Sequence, residues 1–525
     1  MVSRYRSPVL RRTLVASLAG VALSFAYEPV AVAYLMPFCL AAYALTTRGL
    51  RARAGFVVGL AFGVGFYFVH IYWMSPSIGA PAWLALAGIE ALFYGLLGAV
   101  ATLLHRLASW PAWLALAWVA METIRSTWPF SGMPWGRLGF GVVDTPLAPA
   151  LAYLGTNGVS LVVAFLGFLL ARLLLAARGR ERRDERLFAA AALVAVTAVA
   201  LVPAVAPWRL AEAGETTVAA VQGNVPGRGD DVLADVEGLT QNHVDATVDL
   251  AARVAAGEAP QPDFVVWPEN STARDPFRDT SIRTGIETAA DAIGVPVLVG
   301  AIVDDGEDHV LNQGIVWDPV TGAGERYTKR HPVAYGEYIP LRGLLEPTGI
   351  TEQGQLARIP RDMVSGRRAE PLVVAGVPLA DAICFDIAYD DGLAVQIENG
   401  AELLAVQTSN ASFIFTDQIE QQFAITRARA IETGRYVVVA ATNGVSGVIA
   451  PDGSVVDRTQ RRTQDVVVET VTLYRGATPA IAVGEVLRLL SYLTTVVGTA
   501  WALLLGRRSR RGVGAAPGRA VGEDS

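Results

Sequence analysis

Long apolar runs on either side of a charged central segment constrain the fold of this chain more than any other feature. The runs lie at about 13–27, 30–46, 55–74, 83–104, 110–124, 151–175, 187–205 and 480–505. Most contain the roughly 17–25 apolar residues that a membrane-spanning helix needs. Of the 49 acidic residues, only seven precede residue 211. The sequence therefore predicts seven membrane helices over residues 1–210, a water-soluble domain over 211–478 and a last membrane helix over 479–506.

Arginine placement predicts how these helices are oriented. Arginines concentrate in the N-terminal tail, at 48–53, at Arg106, at 172–186 and after residue 506. With eight spans and a cytoplasmic N-terminus, all these segments fall on the cytoplasmic side and the soluble domain falls outside. Arg125 and Arg137 are exceptions. Residues 507–525 are expected to form a basic, then flexible, cytoplasmic tail.

The first run has the basic flank of a signal peptide, but no clear small-residue cleavage site follows it and another apolar run begins at once. It is therefore interpreted as a first membrane helix. The first two runs are short, so a coupled hairpin is the alternative to two separate spans.

The central segment alternates between strand and helix patterns. Strands are predicted at 218–221, 264–267, 295–301, 313–317, 379–383, 403–407 and 436–441, and helices at 235–256, 282–292 and 418–433. Strands that alternate with helices indicate layered α/β packing.

Cys384 is one of only two cysteines and comes directly after the predicted strand 379–383. Because Cys39 lies in an apolar run near the N-terminus, we expect no disulfide between them. A lone thiol at the end of a strand is a candidate nucleophile. The alternative is a small buried hydrophobic residue with no chemical role.

Lys329 is the only lysine among the 43 lysine and arginine residues. Arginine stays protonated, whereas the proton of a lysine can be tuned, so a chemical requirement is favoured over chance survival. Glu269 follows the strand pattern FVVW, and Lys329 follows the hairpin-like pattern GIVWDPVTGAGERYT. Active sites are commonly built at strand ends. A carboxylate can accept the proton of a thiol, and an ammonium group can stabilise a thiolate and an oxyanion.

These residues lie in motifs that resemble the nitrilase (carbon–nitrogen hydrolase) superfamily. The matching segments are VVWPEN, YTKRHPVAYGEYIP, DAICFDIAY, TSNASF and RARAIETGRYVVVAATNGVSGVIAPDG, within residues 216–473. The resemblance implies an αββα sandwich and a catalytic triad of Glu269, Lys329 and Cys384. It also implies that Glu337 orients Lys329 or completes its hydrogen-bond network, and that the backbone N–H of Phe385 binds the oxyanion together with Lys329.

The membrane part extends the resemblance. The segments WVAMETIR, FSGMPWGRLGF and LGTNGVSLVV are similar to those of the membrane-bound lipoprotein N-acyltransferases of this superfamily. That likeness implies a multi-pass bacterial plasma-membrane enzyme, acting as a monomer without cofactor or metal. It implies a phospholipid acyl donor, a thioester on Cys384, ping-pong kinetics and a diacylated apolipoprotein as acceptor. A nucleic-acid partner is not expected, because the basic residues cluster beside apolar runs.

Two other functions compete with this one. A membrane-tethered amide hydrolase would pass the acyl group to water, and a non-enzymatic protein would only bind lipoproteins. The intact set Glu269, Lys329 and Cys384 argues against the second, and eight predicted spans are more than a tether requires. The sequence departs from the family at Asp386, where glutamate is common, and lacks tryptophan after the QGN motif. Both departures concern how the substrate is positioned.

Several polar and loop features keep two interpretations each. Glu90 and the pair Glu122 and Arg125, spaced to meet on one helix face, are either functional or structural. Residues 128–141 are either an interfacial anchor or a lipid entrance, and residues 341–359 are either a lid or a surface loop. His331 is expected to be structural or solvated, not the partner of the thiol.

Overall fold

The computed structural model of the chain describes residues 3–179 and 183–513. Within these residues, nine helices form the N-terminal part. They are α1 (Ser3–Ser24), α2 (Met36–Thr47), α3 (Ala52–His70), α4 (Met74–Ser77), α5 (Ala80–Leu104), α6 (Trp110–Arg125), α7 (Leu151–Ala177), α8 (Arg183–Ala200) and α9 (Val202–Val205). A helix thus covers most of each of the seven predicted N-terminal runs.

Five helical segments of the described residues are long and apolar enough to cross a membrane. They are Ala52–His70, Ala80–Leu104, Ala148–Ala177, Asp184–Val205 and Pro479–Arg507. The helices α1, α2 and α6 are not among them, and α2 and α6 have only 12 and 16 residues. The count of eight spans and their orientation therefore remain predictions.

Small residues allow the N-terminal helices to approach closely. A Cβ on Gly59 of α3 would lie 2.3 Å from the carbonyl oxygen of Tyr94 in α5. A Cβ on Gly65 would lie 2.1 Å from the carbonyl oxygen of Ser17 in α1. Glycine at such positions lets helix backbones pack against each other, which is how helices commonly associate within a membrane.

Thirteen strands in the described residues form the central domain. They are β1 (Ala211–Gln222), β2 (Phe264–Val266), β3 (Val297–Asp305), β4 (His309–Asp318), β5 (Gly322–Thr328), β6 (Asp362–Met363), β7 (Leu372–Val374), β8 (Val377–Ile383), β9 (Leu403–Thr408), β10 (Val437–Ala441), β11 (Gly447–Ile449), β12 (Val455–Arg458) and β13 (Asp465–Arg475). One sheet has the order β13-β1-β2-β3-β4-β5 with β6 beside β4, and the other has the order β12-β11-β10-β9-β8-β7.

Helices cover the outer faces of both sheets. They are α10 (Val236–Ala255), α11 (Thr280–Ile293), α13 (Asp391–Glu398) and α14 (Gln418–Thr433), whereas the short helix α12 (Arg342–Leu345) lies in the loop after β5. α10 and α11 contact the first sheet, α13 and α14 contact the second, and the sheets contact each other through β1 with β10 and β4 with β8. The expected αββα sandwich is therefore present.

The predicted elements of the domain are all present, with shifted bounds. The strand predicted at 295–301 begins later and runs on as β3 to Asp305, because β3 and β4 form one long antiparallel hairpin. The C-terminal helix α15 (Pro479–Val513) extends past the predicted limit at residue 506. The predicted flexible end of the tail, residues 514–525, lies outside the described residues.

The expected pairing of Glu122 with Arg125 is wrong. Arg125 Nη1 lies 3.3 Å from Glu90 Oε2 and donates to the carbonyl oxygens of Met133 and Trp135. Glu122 Oε1 instead accepts from Trp118 Nε1 and from the backbone N–H of Leu138, at 3.0 Å each. The i,i+3 rule describes isolated helix surfaces, whereas here neighbouring segments supply nearer partners.

Candidate active site

The ends of several strands converge at one edge of the sandwich. Glu269 follows β2, Lys329 follows β5, Cys384 follows β8 and Ser409 follows β9. β2 and β3 are parallel, β4 is antiparallel to β3, and β5 is antiparallel to β4, so β2 and β5 run in the same direction. The local sequence thus delivers reactive side chains to the same rigid edge.

Glu269, Lys329 and Glu337 form a buried, hydrogen-bonded cluster. Lys329 Nζ donates to Glu269 Oε1 at 3.0 Å and to Glu337 Oε1 at 2.6 Å. The second oxygen of Glu337 accepts from the backbone N–H of Val333 at 2.8 Å. The side chain of Lys329 is only 1% exposed. A compact ammonium group fits between the two carboxylates.

The carboxylates keep the buried lysine protonated. Burial alone would lower the pKa of Lys329, but the charges of Glu269 and Glu337 raise this pKa well above its usual value. Burial also raises the pKa of Glu337, an effect that Lys329 opposes. The cluster therefore supplies a permanent positive charge flanked by two proton acceptors.

Cys384 stands on a tight turn. It begins a 3-10 helix, Cys384–Ala388, with a φ of 56°, in the left-handed region that non-glycine residues rarely adopt. Such strain concentrates at functional sites. Burial and the charge of Glu269 raise the pKa of the Cys384 thiol, while Lys329 opposes this shift. The thiol is therefore protonated at neutral pH and needs a base to become a nucleophile.

Asp386 connects the loop of Cys384 to the loop of Lys329. Its Oδ2 accepts from the Tyr327 hydroxyl at 3.1 Å and from the backbone N–H of Arg330 at 3.0 Å. Its Oδ1 accepts from the backbone N–H of His331 at 2.8 Å. The shorter side chain at this departure from the family pattern thus still reaches across the site.

Two further groups hold Glu269 and were missed by the sequence reasoning. Asn312 Nδ2 donates to Glu269 Oε1 at 2.8 Å, and the backbone N–H of Ser409 donates to Glu269 Oε2 at 2.9 Å. The available signals were an asparagine inside the apolar strand pattern VLNQGIVW and the end of the predicted strand 403–407. Charge-assisted hydrogen bonds of this kind fix the orientation of the carboxylate.

Aromatic residues of the membrane part pack against the loop of Cys384. The Phe385 ring lies 4.9 Å from that of Trp135, edge to face, and 6.5 Å from that of Trp73. The indole N–H groups of Trp73 and Trp135 both donate to Gln421 Oε1 of α14, at 2.9 and 2.8 Å. Gln421 Nε2 donates to the carbonyl oxygens of Glu28 and His70. The side-chain amide of this one residue of the central domain is thus hydrogen-bonded to four residues of the N-terminal part.

A second connection, the interface network, consists of Arg137, Thr156, Asn157, Asp390, Arg429 and Glu432. Arg429 donates to the carbonyl oxygens of Ile387 and Ala388 at 2.9 and 2.8 Å and pairs with Glu432. Asp390 accepts from Arg137 at 2.7 Å and from Arg429 at 2.8 Å. The backbone N–H of Thr156 donates to Glu432 at 2.8 Å. The turn that carries the thiol is therefore held by groups from both parts of the molecule.

The remaining predicted features lie nearby. His331 stacks on Tyr389 with ring centroids 3.9 Å apart, and its Nε2 lies 2.8 Å from Asp391 Oδ1, which accords with a structural role. In residues 128–141, Trp128 is exposed while Trp135 is buried beneath the domain. Residues 341–359 contain α12 and short 3-10 turns and expose Leu344.

Comparisons with known proteins agree with this architecture. A family model described as the apolipoprotein N-acyltransferase N-terminal domain matches residues 19–169, and one described as carbon–nitrogen hydrolase matches residues 217–478. Fold and site together define a carbon–nitrogen hydrolase domain carried on apolar helices.

Full-length relatives make the assignment more specific. An apolipoprotein N-acyltransferase of Mycolicibacterium smegmatis is 36% identical over 93% of this chain and 84% of the relative. One of Chromobacterium violaceum is 29% identical over 96% of this chain and 95% of the relative. A solved nitrilase-superfamily amidase of Nesterenkonia AN1 aligns with 54% of this chain and 100% of its own at 16% identity and a TM-score of 0.36. The chain belongs to the apolipoprotein N-acyltransferase family, so the resemblance seen in the motifs is confirmed.

Proposed function

We propose that this acyltransferase moves an acyl chain from the sn-1 ester of a phospholipid to the α-amino group of the N-terminal diacylglyceryl-cysteine of an apolipoprotein, acting as a monomer. The observation that carries the proposal is the buried Glu269–Lys329–Glu337 cluster, whose charges act on the Cys384 thiol. Membership of the family supports the nature of both substrates.

In the first half-reaction, Glu269 accepts the thiol proton and the Cys384 thiolate attacks the ester carbonyl carbon. The oxyanion that forms is stabilised by the ammonium group of Lys329 and the backbone N–H of Phe385. When the carbon–oxygen bond breaks, the lysophospholipid oxygen takes the proton from Glu269. The acyl group then remains on Cys384 as a thioester.

In the second half-reaction, the acceptor amine attacks the thioester carbonyl carbon. Glu269 accepts a proton from the amine and returns it to the departing Cys384 sulfur. Because the donor product leaves before the acceptor reacts, the kinetics are ping-pong. Glu337 keeps Lys329 in place through the 2.6 Å hydrogen bond during both halves.

The packing around the thiol favours transfer over hydrolysis. Cys384 is buried, and the neighbouring Phe385 packs against Trp73 and Trp135 from the membrane part. An apolar surrounding suits an acyl chain and excludes water, which would otherwise compete with the amine for the thioester.

Intact-mass spectrometry tests the proposal. Purified protein incubated with phospholipid should gain the mass of one acyl chain and lose it when a diacylated lipopeptide is added. The adduct should be absent in Cys384→Ser and present in the matched control Cys39→Ser, which alters the only other cysteine. If the wild type gains no acyl mass and the lipopeptide stays unmodified, the proposal is wrong.

We further propose eight membrane spans, with both termini in the cytoplasm of a bacterial cell and the catalytic domain outside its plasma membrane. A membrane-impermeant maleimide applied to spheroplasts tests this orientation in a Cys39→Ser background. The background also carries Cys384→Ser, because that thiol lies outside in this topology and would itself react. Gly306→Cys, in the turn between β3 and β4, should be labelled, whereas Gly179→Cys, after α7, should react only once the membrane is permeabilised. The reverse pattern would invert the topology.

A further inference from the structure

A cavity of about 330 Å³ lies where the catalytic domain meets the membrane helices, and Cys384 does not line it. Its walls come from the end of α6, the first turns of α7, the start of α13 and the start of α15. The volume is within the range of small-molecule sites. Because α15 leaves the domain here and continues as an apolar helix, the cavity lies at the boundary between the domain and the apolar helices.

Three partly exposed carboxylates line the cavity together with apolar surface. The side chains of Asp390, Asp391 and Glu485 are 42%, 54% and 59% exposed. The arginines of the interface network, Arg137 and Arg429, are only 2% and 3% exposed and lie behind them. Burial would raise the pKa of Asp390, but Arg137 and Arg429 lower it, so this carboxylate is ionised. Asp391 is paired with Arg330 and Glu485 with Arg488, so each carboxylate has a partner on the protein, yet their exposed oxygens remain able to accept from an ammonium group of a ligand.

Charge and apolarity change in a definite order along α15. Glu485 comes first, and Arg488 follows about one turn further from the domain, at a rise of about 4.5 Å. The two side chains form an ion pair at 2.5 Å. Beyond Arg488, the large apolar residues Leu489 and Leu493 are exposed. An aminophospholipid has its ammonium, phosphate and acyl chains in the same order.

A donor inside the cavity wall also has no partner. Arg137 lines the cavity, and its Nε–H is buried without a hydrogen-bond acceptor among the described residues. Buried donors are nearly always paired, so the partner of this N–H is either an ordered water or a bound group.

We propose that this cavity binds the headgroup of an aminophospholipid. The ammonium group contacts Asp390, Asp391 and Glu485, the phosphate contacts Arg488, and the acyl chains lie along the exposed apolar face of α15. This lipid occupies a site separate from the one that delivers an acyl group to Cys384, because neither Cys384 nor Lys329 lines the cavity. Free phosphate has the same anionic chemistry, but only a lipid also matches the carboxylates and the apolar face.

Photo-crosslinking of the full chain tests the site. A benzoylphenylalanine replaces Ile481, which lines the cavity, and the protein is placed in nanodiscs with equal phosphatidylethanolamine and phosphatidylglycerol of identical chains. Adducts of phosphatidylethanolamine should exceed those of phosphatidylglycerol about tenfold, as expected from one additional charge-assisted hydrogen bond. The same photoreactive residue at the exposed Val497 should report the bulk ratio.

Two variants connect the enrichment to the proposed contacts. Glu485→Gln with Arg488→Gln should return the ratio at position 481 to the bulk value. The matched control is Glu237→Gln with Arg274→Gln, which removes an exposed ion pair that does not line the cavity. This control should leave the enrichment intact. A bulk ratio in the wild type, or enrichment that survives loss of Glu485 and Arg488, overturns the proposal.

Competition distinguishes the lipid from a free anion. Soluble glycerophosphoethanolamine should reduce the adduct, whereas inorganic phosphate at the same concentration should not. Equal competition by both would show a simple anion site and refute the role of the carboxylates. None of these readouts requires turnover, so they stand independently of the proposed acyl transfer.

Discussion

Arg429→Lys should destabilise the protein although it preserves the charge. Arg429 donates to the carbonyl oxygens of Ile387 and Ala388 and also pairs with Asp390 and Glu432. A lysine has a single nitrogen in place of the planar guanidinium fork, so while it holds the ion pairs it should reach neither carbonyl oxygen. Each hydrogen bond lost from a charged donor costs about 1.5–3 kcal/mol, so two cost about 3–6 kcal/mol.

That loss is large enough to measure in the intact membrane protein. At about 2–4 °C per kcal/mol for a domain of this size, the melting temperature should fall by about 6–24 °C. Intrinsic tryptophan fluorescence on heating measures the transition. Acyl-enzyme formation well below it should slow at least about tenfold, because the turn that carries Cys384 loses both carbonyl contacts.

Arg427→Lys is the matched control, two residues earlier on the same helix. Arg427 pairs with Asp144 at 2.7 Å, and the Asp144 side chain is half exposed. This pair contributes about 0–1 kcal/mol, and Arg427 donates to one carbonyl oxygen, that of Gly453 at 2.8 Å, against two for Arg429, so this variant should melt at a higher temperature than Arg429→Lys. If Arg429→Lys melts within about 2 °C of Arg427→Lys, the inference that Arg429 fixes the nucleophile turn is wrong.

Three further substitutions test the charges at the site. Lys329→Arg should lower acyl-enzyme formation about 100-fold, since a guanidinium is too broad for the space between the two carboxylates; near-normal turnover would contradict this. Glu337→Gln should shift the pH midpoint of Cys384 alkylation downward, because the Glu337 charge raises the thiol pKa. The control Glu325→Gln, at an exposed position, should leave this midpoint unchanged. An unchanged midpoint in both variants would refute the effect of the Glu337 charge on the thiol. Burial and the charge of Asp386 raise the pKa of Asp381 well above its usual value. Its folded-state pKa exceeds the unfolded value of about 3.9, so stability falls as pH rises above about 4, and Asp381→Asn should therefore gain melting temperature over the wild type from pH 5 to pH 8. A difference independent of pH would show that Asp381 is not protonated in the fold.

The sandwich and the main site residues could be predicted from the sequence because their signals are local. Glu269, Lys329 and Cys384 each follow a recognisable strand pattern, and parallel strands deliver their ends to one edge. Strand bounds were less predictable: β1 begins at Ala211, seven residues before its apolar core, because it pairs with the distant β13. Pairing between remote segments leaves little trace in either segment alone.

The contacts between the domain and the membrane part could not be predicted. Gln421, Arg429 and Glu432 are polar residues on α14, which alone would indicate a solvated face. Their partners, such as Trp73 and Thr156, are more than 270 positions away in the chain. The Arg125 error has the same origin, since Glu90 lies on another helix. Sequence spacing reports neighbours within an element, whereas these contacts depend on how elements pack.

The Gln421 contact and the interface network also bear on how this enzyme can be divided or recombined. A soluble enzyme cut out at residues 211–475 would present Gln421 and Arg429 to water while the turn of Cys384 lost its neighbours Trp73 and Trp135. Chimeras that join the catalytic domain of one relative to the helices of another should therefore lose activity unless these contact residues are exchanged together. The domain and the apolar helices should therefore change together in evolution, although one contacts water and the other contacts lipid.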